Sequence, residues 1–247
     1  MTFLVVKRPP AWRLVAVALL TGLTVGVAVG PWASWQPATQ TTLQPLRSVP
    51  VADKRVALTF DISWGSDIPM RIVTILRQEQ LRCTFFLSGP WSWSYPEVVG
   101  RLAADGHEIA SHGYAHINMS QASRETILEQ LDKAHTILVE LTGQSPKYLR
   151  PPNGDYNDRV VATALERGYT TVLWSLDSHD WLDPGVDYIV NRVVQKATPG
   201  DIILLHASDS ASQTPEALPR IIAGLRAQGF KLQTLSELLQ PPTQPGP

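Results

Sequence analysis

Cysteine is nearly missing from this chain: Cys83 is the only one in 247 residues. No disulfide framework exists, so cysteine usage leaves the compartment undecided. Its setting in the apolar run Cys83-Thr84-Phe85-Phe86-Leu87 reads as a buried strand thiol rather than a nucleophile. Excess charge is missing too. Lys and Arg number 21 against 22 Asp and Glu, without a basic run or a basic patch interleaved with aromatics, which argues against nucleic acid as a partner. A neutral polymer stays open. Charge is wholly absent between Leu14 and Trp35, while Lys7, Arg8 and Arg13 precede that stretch.

A membrane span needs roughly 20 apolar residues, and basic residues on one flank predict that flank inside. The expected organisation is therefore a basic cytoplasmic N-terminus at 1–13 and a transmembrane signal-anchor or signal peptide at 14–35. Pro31 directly after Gly30 makes cleavage there awkward and favours the anchor. In either case the remainder is expected to be extracytoplasmic, membrane-anchored or secreted. Residues 36–52, rich in Gln, Thr and Pro, read as a linker, and 241–247 as a disordered tail.

Between linker and tail, strand and helix patterns alternate. Strands are expected at Arg55 to Phe60, Cys83 to Leu87, Glu108 to Ser111, Tyr148 to Arg150, Thr170 to Leu176, Asp201 to Leu205 and Lys231 to Thr234. Helices are expected at Ile68 to Glu79, Pro96 to Ala104, Asn157 to Arg167, Val186 to Lys196, Pro215 to Gln228 and Leu235 to Leu239. A longer helix, capped by Ser120, is expected to run to Leu141 before Gly143 and Pro146 stop it. Such alternation implies an α/β domain at 53–240 with a parallel sheet, closed or nearly closed into a barrel, or else an open doubly wound sheet. Both place a ligand site at the carboxyl ends of the strands.

The ionisable residues fall on those ends. Asp61 ends the first strand, His112 follows the third, Arg150 ends the fourth, Asp177 and Asp180 follow the fifth, and His206 ends the sixth. Each alone has a structural explanation, as a turn cap, a core histidine or an ion pair. Gathered at five strand ends they point to chemistry, because buried ionisable groups need a partner or a task. His112-Gly113-Tyr114-Ala115-His116 has the spacing of a loop that presents two imidazoles to zinc or a related divalent metal.

With these residues placed, the chain resembles the polysaccharide deacetylases of carbohydrate esterase family 4, which carry the NodB homology domain. Five motifs occur in the family's order: Thr59-Phe60-Asp61, His112 to His116, Arg150-Pro151-Pro152-Asn153-Gly154, Asp177-Ser178-His179-Asp180-Trp181 and Leu204-Leu205-His206. The block from Leu58 to Gly65, followed by Phe86 to Trp91, is most similar to the sporulation-associated PdaB-like branch. The resemblance implies a distorted (β/α) barrel. It also implies a hydrolase that removes N-acetyl groups from amino sugars of a cell-wall polysaccharide, either peptidoglycan or a chitin-like polymer. In that reading Asp61 is the general base, held by Arg150, and His206 is the general acid, kept charged by Asp180. His112 and His116 bind the metal. The Asn153 backbone N–H meets the oxyanion, while Trp181 and Leu204 wall the pocket for the acetyl methyl group.

One position departs from the pattern. The family has a second aspartate after the base, as third metal ligand, where this chain has Ile62. An isoleucine cannot coordinate a cation, so metal affinity should fall. Two alternatives follow: a catalytically impaired relative that binds cell-wall glycan, or a metal held by His112, His116 and Asp61 itself. Trp64, Trp91 and Trp93 read either as sugar-stacking or as core residues. His107 and His135 read as surface or packing residues.

Overall fold

The structure, a computed structural model, describes residues 43–241. The apolar segment 14–35 and nearly all of the 241–247 tail lie outside the described residues. Among the described residues no helix is long and apolar enough to cross a membrane.

Strand β1 (Arg55–Ile62) shows why a sheet forms and which way it faces. Its side chains alternate with the period of a strand. Val56, Leu58, Phe60 and Ile62 belong to an outer apolar cluster, whereas Ala57 belongs to an inner one. The outer cluster takes in Ile68, Ile72, Val73 and Leu76 of α1 (Asp67–Gln78) and Ala217, Leu218, Ile221 and Ile222 of α7 (Thr214–Ala227). Each such side chain contributes about 1.5–3 kcal/mol of burial. The inner face carries Thr59, whose hydroxyl donates to the Ile203 carbonyl at 2.8 Å, and then Asp61.

On either side of β1 lie β2 (Thr84–Leu87) and β7 (Ile202–His206), both parallel to it. Beyond β2 follow β3 (Glu108–Ser111), β4 (Tyr148–Leu149) and β5 (Thr170–Thr171); beyond β7 lies β6 (Leu176–Asp177). The short β8 (Lys231–Gln233) pairs with the start of β1. The connecting helices are α2 (Gly89–Ser94), α3 (Pro96–Ala104), α4 (Arg124–Thr142), α5 (Asp158–Glu166) and α6 (Val186–Lys196), with α8 (Leu235–Leu239) last. All eight strands run parallel and the sheet curls into a half-barrel, with β5 and β6 as its unpaired ends.

Three expectations need correction. The single strand expected at Thr170 to Leu176 is two strands, because the chain changes neighbours midway. Val172 still donates to Leu149 of β4, Leu173 donates to Leu46, and Ser175 donates to Ile202 of β7. The long helix is capped by Ser123, whose hydroxyl accepts from the Thr126 N–H at 3.2 Å, rather than by Ser120. Asp155 takes both the N–H and the hydroxyl of Ser120, at 2.7 and 2.8 Å, and holds it in a preceding 3-10 turn. Helix α2 had no periodic signal in its six residues.

The third correction concerns the linker, whose last residues belong to the domain. Leu46 bridges to Val172 and Ser48 to Asp201, so this strap spans the opening between the sheet's two ends. Val49 joins the inner apolar cluster and donates to the Gly200 carbonyl at 2.9 Å. Gly200 has φ +86°, and a Cβ there would lie 1.8 Å from the Val49 carbonyl oxygen. Gly200→Ala should therefore cost more than about 1 kcal/mol, measured by urea denaturation; an unchanged midpoint would show that the strap contributes nothing.

Candidate active site

At the carboxyl ends of the strands the half-barrel opens into a cleft of about 510 Å³, within the roughly 300–1,000 Å³ of small-molecule sites. Asp61, His112, His116, Asn153, Trp181, Leu204 and His206 all line it. Arg150 and Asp180 lie beneath, fully buried, each holding one of the lining residues.

Asp61 sits on the inner face of β1, paired in register with His206 of β7. Arg150 NH1 donates to Asp61 Oδ1 at 2.6 Å, and its NH2 donates to the Thr59 hydroxyl and the Leu173 carbonyl at 2.9 and 3.1 Å. The guanidinium lies 4.0 Å from the centre of the Phe86 ring, a stacked setting that suits arginine rather than lysine. Burial pushes the Asp61 carboxyl up, but the Arg150 charge, with His112 and His206, outweighs it and holds the group below its ordinary 3.8. The carboxylate is thus ionised near neutral pH.

The two cleft histidines nearest Asp61 differ in exposure. His112 is almost wholly buried, and its Nδ1 faces the Arg150 carbonyl at 2.7 Å. A carbonyl only accepts, so Nδ1 carries the proton and the Nε2 lone pair is left free, 3.8 Å from Asp61 Oδ2. Burial lowers His112 to about 4, keeping the ring neutral. His116 is exposed, its ring edge-on to His112 with centroids 5.4 Å apart.

His112 thus has the features a divalent cation asks of an imidazole ligand: a neutral ring, and a tautomer fixed by an outer hydrogen bond. His112 and His116 fit two positions of such a site. A third is not provided, since among the described residues no three His, Cys, Asp or Glu side chains converge around one point. Ile62 does not line the cleft. Its position on the alternating strand turns it into the outer apolar cluster, opposite Asp61.

His206 is set up in the reverse sense. Its Nδ1 donates to Asp180 Oδ1 at 2.8 Å and its backbone N–H to Oδ2 at 2.7 Å. Thr214 and the Ser178 hydroxyl complete the hold on Asp180, the first donating to Oδ2 and the second accepting from the Asp180 N–H. Burial lowers His206, but the Asp180 hydrogen bond and charge overcome it and raise the ring above 6.5. One cleft thus holds an imidazole shifted toward its neutral form and one shifted toward its cation, on either side of an ionised carboxylate, the kind of separation that acid–base chemistry uses.

Asn153 adopts a left-handed backbone, φ +59°, and its side-chain amide donates to Asn118. Asparagine tolerates that region better than most residues. Sequence reasoning missed Trp174, Ser208 and Ser210, which also line the cleft; serines after His206 carry no signal by themselves. Trp91 is core, its indole N–H donating to the Gly65 carbonyl at 2.6 Å. His107 is buried edge-on to Phe85, and His135 is paired with the Tyr169 hydroxyl. Burial raises the Cys83 thiol and makes it inert.

Known proteins share this arrangement. A family profile described as polysaccharide deacetylase matches residues 48–172. The chain is 39% identical, over 195 residues, to a peptidoglycan-N-acetylglucosamine deacetylase of Bacillus cereus, covering 78% of this chain and 91% of the relative. It is 34% identical to the protein YlxY of Bacillus subtilis, over 74% of this chain, and spans only 57% of that relative's length. Among solved structures, a CE4 family pseudoenzyme from Bacillus anthracis, BA3943, superposes with a TM-score of 0.76 at 33% identity, covering 80% of this chain and 69% of that one. A mutant of the same protein is described as having restored enzymatic activity. A half-barrel with these motifs at its strand ends, matched over most of its length by such relatives, leaves one assignment: this chain belongs to the polysaccharide deacetylase family.

Proposed function

We propose that the chain removes N-acetyl groups from amino sugars of a cell-wall polysaccharide, peptidoglycan or a chitin-like polymer. The observation that carries this is the pairing of Arg150-held Asp61 with Asp180-held His206 across one cleft. A pure binding module has no need of a matched base and acid.

Asp61, ionised and oriented by Arg150, takes a proton from the attacking water. The Asn153 backbone N–H would donate to the tetrahedral oxyanion, and Trp181 and Leu204, which line the same cleft, would flank the acetyl methyl group. His206, cationic through Asp180, gives its Nε2 proton to the leaving amine. A divalent cation, zinc by the chemistry of its donors, would be held by His112 and His116 and would supply polarisation of the amide carbonyl. We further propose that segment 14–35 anchors the domain outside the membrane; the mass of the membrane-associated protein tests this, since loss of about the first 30 residues would mean a cleaved signal.

The site's pH response follows from its partners. Activity requires cationic His206, so kcat/KM should fall as pH rises through its elevated pKa. Asp180→Asn removes the largest influence raising that pKa and leaves burial opposed only by the charges of Asp61 and Asp177, so the alkaline limb should move to lower pH. A limb that stays in place would mean that another group sets it.

A second reading, a glycan-binding relative without turnover, is favoured by one observation, the apolar Ile62 where the family has a metal ligand. Acetate release from peptidoglycan and acetylated chitooligosaccharides, with and without zinc or cobalt, decides between the two. Release from wild type supports the enzyme. No release from wild type, with Ile62→Asp active, supports the second reading. Because Ile62 lies in the outer core, that variant should lose stability, seen as a lower Tm.

A further inference from the structure

The segment between β5 and β6 lies where the sheet's pairing breaks, yet it serves the cleft twice. Val172 still pairs toward β4 and Ser175 toward β7, which leaves Leu173 and Trp174 without a strand neighbour in the sheet. Trp174 lines the cleft, and the Leu173 carbonyl accepts from Arg150 at 3.1 Å. What fixes Leu173 is the strap. The Leu173 N–H donates to the Leu46 carbonyl and the Leu46 N–H to the Thr171 carbonyl, both at 2.8 Å. Leu173 is only 2% exposed, and a buried peptide group needs a partner. Without Leu46 its N–H would have to turn toward another acceptor, and the carbonyl that receives Arg150 would shift with it.

Arg150 has no spare hold with which to absorb that shift. Its bonds run to Asp61, Thr59 and Leu173, and its Nε has no partner among the described residues. Asp61 and Thr59 both stand on β1, so the Leu173 carbonyl is the contact that fixes the guanidinium from outside that strand. Released there, the guanidinium would be free to tilt across the Phe86 ring, 4.0 Å away, and to carry Asp61 with it through their 2.6 Å bond. Trp174 would move as well. Its ring lies 5.6 Å from the guanidinium and packs against Gly154, where a Cβ would fall 2.9 Å from the indole. Gly154 follows Asn153, the proposed oxyanion donor, so one strap bond reaches both the base and the oxyanion side of the cleft. A misplacement of about 1 Å costs on the order of 10²-fold in rate.

We propose that Leu46 is a positioning residue of the active site: acting through Leu173, it sets the aim of Arg150 and with it that of Asp61. This rests on the deacetylase reading and extends the working site beyond the strand ends. Steady-state acetate release from N-acetylated chitotetraose by the full-length chain, in the presence of zinc, tests it. Wild type, Leu46→Pro, Leu46→Gly and Val49→Ala are compared, each with its Tm. Proline removes the N–H that donates to Thr171 and so loosens the strap beside Leu173. Its kcat should fall roughly 10- to 100-fold, with KM within about twofold, because the loss falls on the reacting groups rather than on sugar binding. Glycine keeps both backbone bonds but frees the chain around them. Its kcat should fall roughly two- to fivefold, which decides the matter if Leu46→Pro does not fold. Val49→Ala trims the inner apolar cluster at the strap's far end and should lower the Tm while keeping wild-type kcat. An unchanged kcat in Leu46→Pro, or in Leu46→Gly where the proline variant does not fold, overturns the positioning role and leaves the deacetylase reading intact. A kcat that falls as far in Val49→Ala as in the Leu46 variants means general loosening and overturns it too. Wild type that releases no acetate overturns both readings.

Discussion

Arg150→Met should destabilise the domain by about 3–5 kcal/mol, the usual result of stranding one partner of a buried ion pair. The guanidinium is fully buried and makes three hydrogen bonds, so methionine fills part of its volume and replaces none of them. The larger loss falls on Asp61, only 6% exposed, whose carboxylate would keep its burial and lose its cation. Its folded pKa would then rise above 3.8, and the variant would lose stability as pH rises through that value, the reverse of wild type. Wild-type Asp61, held low by Arg150, contributes stability above pH 3.8 that disappears as pH falls through its folded pKa. Denaturation at several pH values reads both signs. The double variant Arg150→Met/Asp61→Asn should be more stable near neutral pH than the single one, because no charge is stranded. Equal stabilities would show that the pair is worth little.

Asp61→Asn should reduce kcat for acetate release by about 10²–10⁴, the range for a positioned general base, with little change in KM. The amide keeps the shape of the carboxylate and can still accept from Arg150, so the cleft should remain formed. A fall of only a few-fold would remove Asp61 from the proton transfer and shift the base role to His206.

The elements legible in the sequence are those whose signals are local. β1 and β7 are apolar runs with an ionisable group at the carboxyl end, where a parallel sheet puts its chemistry, and β2 is an apolar run between turn residues. Asp61 and His206 could be placed on that ground alone. What was not legible depends on partners far away along the chain. Ser120 and Ser123 are equally good caps, and Asp155, 35 residues beyond Ser120, decides between them. The break between β5 and β6 depends on Leu46 and on the Arg150 contact to the Leu173 carbonyl. Trp64, on the loop after β1, and Trp91, in α2, are the same residue type, and only the hydrogen bond from the Trp91 indole to Gly65 shows which one is core. The outward turn of Ile62 was available from the alternation of β1, since a residue directly after the inward Asp61 must face the helices.

The strap at residues 46–49 bears on how this molecule stays apart from its own copies. A half-barrel has two free margins, each a row of unpaired amide and carbonyl groups able to template a strand from another chain. Leu46 occupies such groups beside β5, and Val49 ties the strap to Gly200, ahead of the interior strand β7. The segment leading toward the N-terminus thus acts as a guard against edge-to-edge association. A soluble version begun at residue 53, where the sequence pattern places the domain boundary, would leave the β5 margin bare.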